Sequence, residues 1–179
     1  MKRRILAILL LAACLLTLLP ATAMAVPETE TRSKGGKLIA LTFDDGPGPY
    51  TRRLLEGLAK RGVKATFFML GQQAENYDVT AGLVRDAGHQ IASHTYDHPQ
   101  LSKKTDSQVT WQISHTADIL NRITGYGTHY LVRPPYGDYN SRVLSLLDNP
   151  AILWSVDPLD WKYRNADTSR RPSGLREDK

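Results

Sequence analysis

Cysteine is nearly absent: the chain has one, Cys14, and it lies ahead of any segment able to fold into a domain. A disulfide framework is therefore excluded from the folded part. Long apolar runs are just as scarce. Only Ile5 to Leu19 forms one, interrupted by small residues and Thr17, and its roughly 15 residues fall short of the ~20 a spanning helix needs. An excess of one charge is missing too. Lys2, Arg3 and Arg4 precede the apolar run, and residues 26–179 hold 20 basic against 18 acidic side chains. That balance leaves no basic stripe for a nucleic acid. Internal repeats at solenoid periods are also lacking.

What the first residues do contain is a positive n-region, the apolar run, Pro20, and the small-x-small triplet Ala23-Met24-Ala25. Together these predict a signal peptide over 1–25, cleaved after Ala25. Two alternatives use the same residues. One is an uncleaved membrane anchor. The other is a lipoprotein modified at Cys14, although the apolar stretch continuing past Cys14 argues against it. Residues 26–36 (VPETETRSKGG) are polar and Gly-ended, and read as a linker. The 154 residues of 26–179 suffice for one domain with a core. The expectation is a secreted or cell-surface monomer with no membrane span after cleavage.

From Lys37 onward, short apolar runs alternate with amphipathic ones. Strands are predicted at 37–42 (KLIALT), 64–70 (KATFFML), 89–94, 130–133 and 151–156 (AILWSV). Helices are predicted at 51–61, around Val79 to Ala87, at 107–124 and at 141–147, with Gly62, Gly88 and Gly125 as stops. Strands alternating with helices imply a mainly parallel α/β sheet, open or barrel-shaped. In such folds the C-terminal strand ends share one face. Asp44-Asp45, His94, Arg133 and Asp157 all fall at predicted strand ends.

His94 and His98 are spaced i, i+4, which on a helical turn places two imidazoles on one face. With a carboxylate they make a divalent-metal set. Asp44 or Asp45 is the donor at hand. Two adjacent carboxylates repel unless a cation takes one, and the other is then free to act as a base. Taken singly, His-x3-His is common on solvated turns and Asp-Asp-Gly is ordinary turn chemistry. Their coincidence at strand ends predicts a metal site. Arg133 before two prolines could orient a carboxylate, or could be a surface arginine in a rigid turn. Trp161 could wall a sugar site, while Trp154 is expected in the core. His89, His115 and His129 are expected at the surface or in packing.

Four ordered segments, Thr42 to Pro47, Ser93 to His98, Arg133 to Gly137 and Asp157 to Trp161, resemble the polysaccharide deacetylases. These are the NodB-homology domains of carbohydrate esterase family 4. The resemblance covers about Lys37 to Asn165, within a domain drawn at 37–166. It implies a distorted (β/α) barrel that removes N-acetyl groups from chitin-like or peptidoglycan sugars, or O-acetyl groups from xylan. It also implies Asp44 as general base, with Asp45, His94 and His98 as ligands to a divalent metal, usually zinc, with cobalt serving in some members. Arg133 would orient Asp44, the Tyr136 backbone N–H would meet the oxyanion, Trp161 would line the groove, and Asp160 would tune a further histidine.

That further histidine belongs to a fifth motif which the chain does not contain. Residues 167–179 (DTSRRPSGLREDK) have Leu175 as their only aliphatic side chain and read as a disordered tail. A full barrel takes about 250 residues, or ~200 at the low end, so the barrel is expected to lack its C-terminal strands through truncation or a frameshift. The leading expectation is a deacetylase of peptidoglycan N-acetylglucosamine. Its rivals are a non-haem iron facial triad, which leaves Arg133 and Asp160 unexplained, and an inactive or glycan-binding pseudo-deacetylase.

Overall fold

The computed structural model describes residues 38–163. The signal peptide and linker expected over 1–36 and the tail expected over 167–179 lie outside the described residues, as do Lys37 and residues 164–166. From Ile39 onward the described residues belong to one compact unit.

The sheet is built on β1 (Thr42–Gly46), β2 (Thr66–Met69) and β3 (Gln90–Ser93), in the order β1-β2-β3 and parallel throughout. Phe67 lies beside Phe43 and Ile91 in register, and Phe68 beside Asp44 and Ala92. Phe67, Phe68 and Met69 are all buried, as expected of a parallel strand covered on both faces. Each such side chain contributes about 1.5–3 kcal/mol of hydrophobic stabilisation. Single parallel bridges, Ser93 to Val132 and Val132 to Ala151, extend the sheet beyond β3. The fourth and fifth predicted strands thus exist as bridge points rather than as full strands. The first strand sits further along than predicted, and it carries Asp44 and Asp45 within it.

The helices are α1 (Thr51–Ala59), α2 (Gly71–Asn76), α3 (Asp78–Asp86), α4 (Asp106–Thr124), α5 (Ser141–Leu144) and α6 (Asp160–Tyr163). The spacing of apolar residues did not predict α2, because GQQAEN has one apolar side chain, the fully buried Ala74. Helix α4 begins in a reciprocal capping box. Thr105 Oγ accepts from the Gln108 N–H, and the Gln108 side chain accepts from the Thr105 N–H. It ends at Gly125, in the left-handed conformation at φ 73°. Its buried side chains are Val109, Gln112, Thr116, Ile119, Leu120 and Thr124. Ile113, Ala117 and Ile123 on the same helix are only partly buried. Among the described residues no helix is long and apolar enough to cross a membrane.

Candidate active site

Asp44 and Asp45 are neighbours on β1, where an extended strand would send them to opposite faces. A register shift between Asp44 and Gly46 breaks that alternation, and Asp45 adopts φ 64°. The bulge re-aims the carboxylates.

His94 leaves the end of β3, with its backbone N–H on the Met69 carbonyl at 2.8 Å. His98 follows through a loop rather than a helical turn. Thr95 and His98 take φ 70° and 63°, left-handed values that are costly for a β-branched residue such as Thr95. The expected helical face is therefore corrected: a left-handed loop brings the two rings to 5.0 Å between centroids. The loop is held from two sides. The N–H groups of Gly71 and Gln72 at the start of α2 donate to the Thr95 and Tyr96 carbonyls at 2.9 and 3.1 Å. From α4, Gln112 Oε1 accepts from the Tyr96 N–H at 2.8 Å while its Nε2 donates to Asp97 at 2.7 Å.

Asp45 Oδ1 lies 3.5 Å from His94 Nε2 and 3.4 Å from His98 Nε2. Metal bonds of about 2.0–2.2 Å at tetrahedral angles place ligand atoms about 3.3–3.6 Å apart. The three groups therefore fit a divalent cation, and their ligand atoms all lie within 4.8 Å of one another. The tautomer agrees. His94 Nδ1 is 2.6 Å from the Arg133 carbonyl, which can only accept. Nδ1 thus carries the proton and Nε2 presents its lone pair inward, the usual outer support of a metal-ligating histidine. Burial pulls the His94 pKa below the ordinary histidine value, with the Asp44 carboxylate opposing. Neutral imidazole is the ligating form.

Arg133 is 3% exposed. Its Nη1 donates to Asp44 Oδ1 at 2.6 Å and to Thr42 Oγ at 2.9 Å. Nε and Nη2 donate to the carbonyls of Ile152 and Leu153 at 3.2 and 3.1 Å. The guanidinium carbon sits 4.0 Å from the centre of the Phe68 ring. One side chain thus joins β1 to the segment after Ala151 and fixes the carboxylate beside the metal ligands. Asp44 Oδ2 is 4.0 Å from His94 Nε2. Tyr136, at φ 60°, places its ring 4.5 Å from that of His98.

The structure thus gathers Asp44, Asp45, His94, His98, Arg133 and Tyr136. It does not bring Asp160 or Trp161 against them among the described residues. Both are exposed, and the Trp161 Nε1–H donates to Asp157 at 3.3 Å. Trp154 is 44% exposed instead of in the core, with the Arg133 guanidinium 5.9 Å from its ring. Among the described residues the bridge at Ala151 is the last along the chain. His89 is buried against Phe67, His129 is exposed beside Asp148, and His115 stacks on Trp111. Thr42, Phe68 and Gln112 support the site and were not foreseen. Gln112 could have been found as a polar side chain three residues after Val109, on the buried stripe of α4.

Comparison with known proteins agrees with this geometry. The family model described as polysaccharide deacetylase matches residues 31–150. The chain is 40% identical over 146 residues to the peptidoglycan-N-acetylmuramic acid deacetylase PdaC of Bacillus subtilis, covering 81% of this chain and 31% of that protein. It is 44% identical over 149 residues to the peptidoglycan-N-acetylglucosamine deacetylase PgdA of Listeria monocytogenes, with the same two coverages. The solved structure of Bacillus subtilis PdaC superposes with a TM-score of 0.70 at 42% identity, over 73% of this chain and 65% of that one. The chain thus spans about a third of the length of these curated relatives and about two thirds of the solved domain. Its parallel sheet and helices are that part of the NodB-type deacetylase fold. The chain belongs to the polysaccharide deacetylase family.

Proposed function

We propose that the protein hydrolyses N-acetyl groups on a cell-wall glycan, with peptidoglycan N-acetylglucosamine as the substrate. The observation that carries this reading is the 2.6 Å Arg133–Asp44 contact beside the Asp45/His94/His98 set. It pairs a fixed basic carboxylate with a cation site, the two components that hydrolysis of an unreactive amide needs. The names of the relatives, which act on peptidoglycan sugars, support the substrate class.

In this reading Asp45, His94 and His98 hold the metal, zinc or alternatively cobalt. When bound, it supplies Lewis acidity toward the acetyl carbonyl oxygen. Asp44 takes the proton of the attacking water, and Arg133 holds the carboxylate in place. The Tyr136 N–H faces the oxyanion, while Asp160 and Trp161, exposed and apart from these residues, carry no step. The C–N bond breaks to release acetate, and the proton passes to the departing amine. The protein works as an exported monomer at the cell surface.

The test is acetate release from purified peptidoglycan, measured beside metal content. Asp44→Asn should retain the metal and lose about 10²–10⁴ in rate, the usual contribution of a general base. Loss of metal in Asp44→Asn with retention in Asp45→Asn would exchange the two roles.

A further inference from the structure

A groove of about 480 Å³ lies against Tyr136, lined also by Pro99, Gln100, Lys103 and Lys104. Because the Tyr136 ring is 4.5 Å from that of His98, this groove adjoins the metal-ligand set. Its charge is one-sided. Both charged side chains in its lining, Lys103 and Lys104, are cationic, and no carboxylate lines it. Among the described residues neither Lys103 nor Lys104 has a side-chain partner.

The backbone that carries the two ammonium groups is nevertheless fixed. Leu101 is fully buried with Val109 and Val143. Arg142 Nη2 donates to the Ser102 and Lys104 carbonyls at 3.3 and 2.8 Å, and Asp138 grips Ser102 at 2.8 Å. A Lys-Lys turn anchored in this way carries two ammonium groups on a fixed backbone.

We infer that Lys103 and Lys104 form a subsite for a carboxylate on the glycan, so that the protein selects an acidic, lactyl- or peptide-bearing strand over a neutral chitin-like one. This rests on the deacetylase reading above. The groove beside Tyr136 adjoins the Asp45/His94/His98 set, which puts it within reach of the neighbour of a sugar whose acetamide lies at that set. In peptidoglycan that neighbour is N-acetylmuramic acid, which carries a carboxylate. In a chitin-like chain it is neutral and leaves both ammonium groups unmatched.

The experiment compares kcat/KM for peptide-free peptidoglycan strands with that for a neutral chitooligosaccharide, in wild type and in Lys103→Gln/Lys104→Gln. The ratio of acidic to neutral should fall about five- to tenfold in the variant, as expected for two exposed ionic contacts. In the wild type, added salt or conversion of the strand carboxyls to methyl amides should lower the ratio similarly. An unchanged ratio would overturn the subsite while leaving deacetylation intact. Failure of the wild type to release acetate from either glycan would overturn the deacetylase reading instead. In that event equilibrium binding of the same two glycans decides: lysine-dependent preference for the acidic strand keeps the subsite, and equal binding removes it.

Discussion

Asp44 and Asp45 are chemically identical neighbours, and their surroundings set their roles apart. Asp44 lies beside a buried guanidinium, whereas Asp45, with its side chain 64% exposed, faces two imidazoles. Their adjacency was legible from the sequence, but the bulge at Asp45 that aims them was not. In the proposed ligand set His98→Ala removes one of three ligands, so stoichiometric metal should be lost on dialysis while Asp45 and His94 stay in place. Metal analysis of the purified variant checks this, and retention of one zinc per chain would sink the ligand set. Arg133 shows the same dependence on context. As a letter before two prolines it reads equally as a surface residue, and only its four donated bonds from a buried position reveal its task.

At the scale of elements, the metal loop depends on α2 and α4. Gly71 starts α2, and a Cβ there would stand 2.8 Å from both Thr116 Oγ and a Tyr96 ring carbon. Gly71→Ala should cost about 1–3 kcal/mol by overpacking and weaken metal affinity, because Gly71 N–H holds the Thr95 carbonyl. Urea denaturation and metal titration test the two effects, and a variant as stable and as tight as wild type would refute the contact. β2 and β3 are linked through His89, whose Nδ1 accepts the Ala65 N–H at 3.2 Å. Burial, and then Lys64, holds the His89 pKa below the ordinary value. The unfolded chain therefore takes up a proton before the folded one does. This contribution is complete above about pH 6.5 and lost as pH falls through that value toward the depressed folded pKa. The denaturation midpoint should drop less between pH 7.5 and 5.5 in His89→Asn than in wild type. Equal drops would assign the acid sensitivity elsewhere.

Across the whole molecule, the cation site draws on distant parts of the chain. Asp45 comes from β1, and His94 and His98 come from beyond β3, supported by the Arg133 carbonyl. Such a site exists only in the folded state, so metal binding adds to folding stability. At a free metal concentration of 100 Kd the gain is about 2.7 kcal/mol. Calorimetry with zinc and after chelation should show a metal-dependent rise in Tm that vanishes in His98→Ala. A rise of the same size in that variant would place the metal elsewhere. Among the described residues, Leu153, Trp154 and Val156 are exposed beyond the last bridge at Ala151.

Periodicity by itself determined the parallel α/β class, most helix limits, and the placing of Asp44, Asp45, His94 and Arg133 at strand ends, while Tyr136 entered through the family resemblance. These rest on local information: apolar spacing, glycine stops, and polar residues placed at strand ends. The tertiary structure alone decided how the residues meet. A left-handed loop rather than a helical turn pairs the imidazoles, and a bulge parts the carboxylates. Gln112 enters the buried face of α4 because its amide satisfies the loop's N–H groups and Asp97 together. Trp154, expected in the core, is 44% exposed, with the Arg133 guanidinium 5.9 Å from its ring. Each of these outcomes depends on hydrogen bonds and packing between segments far apart in the chain, which no local pattern encodes.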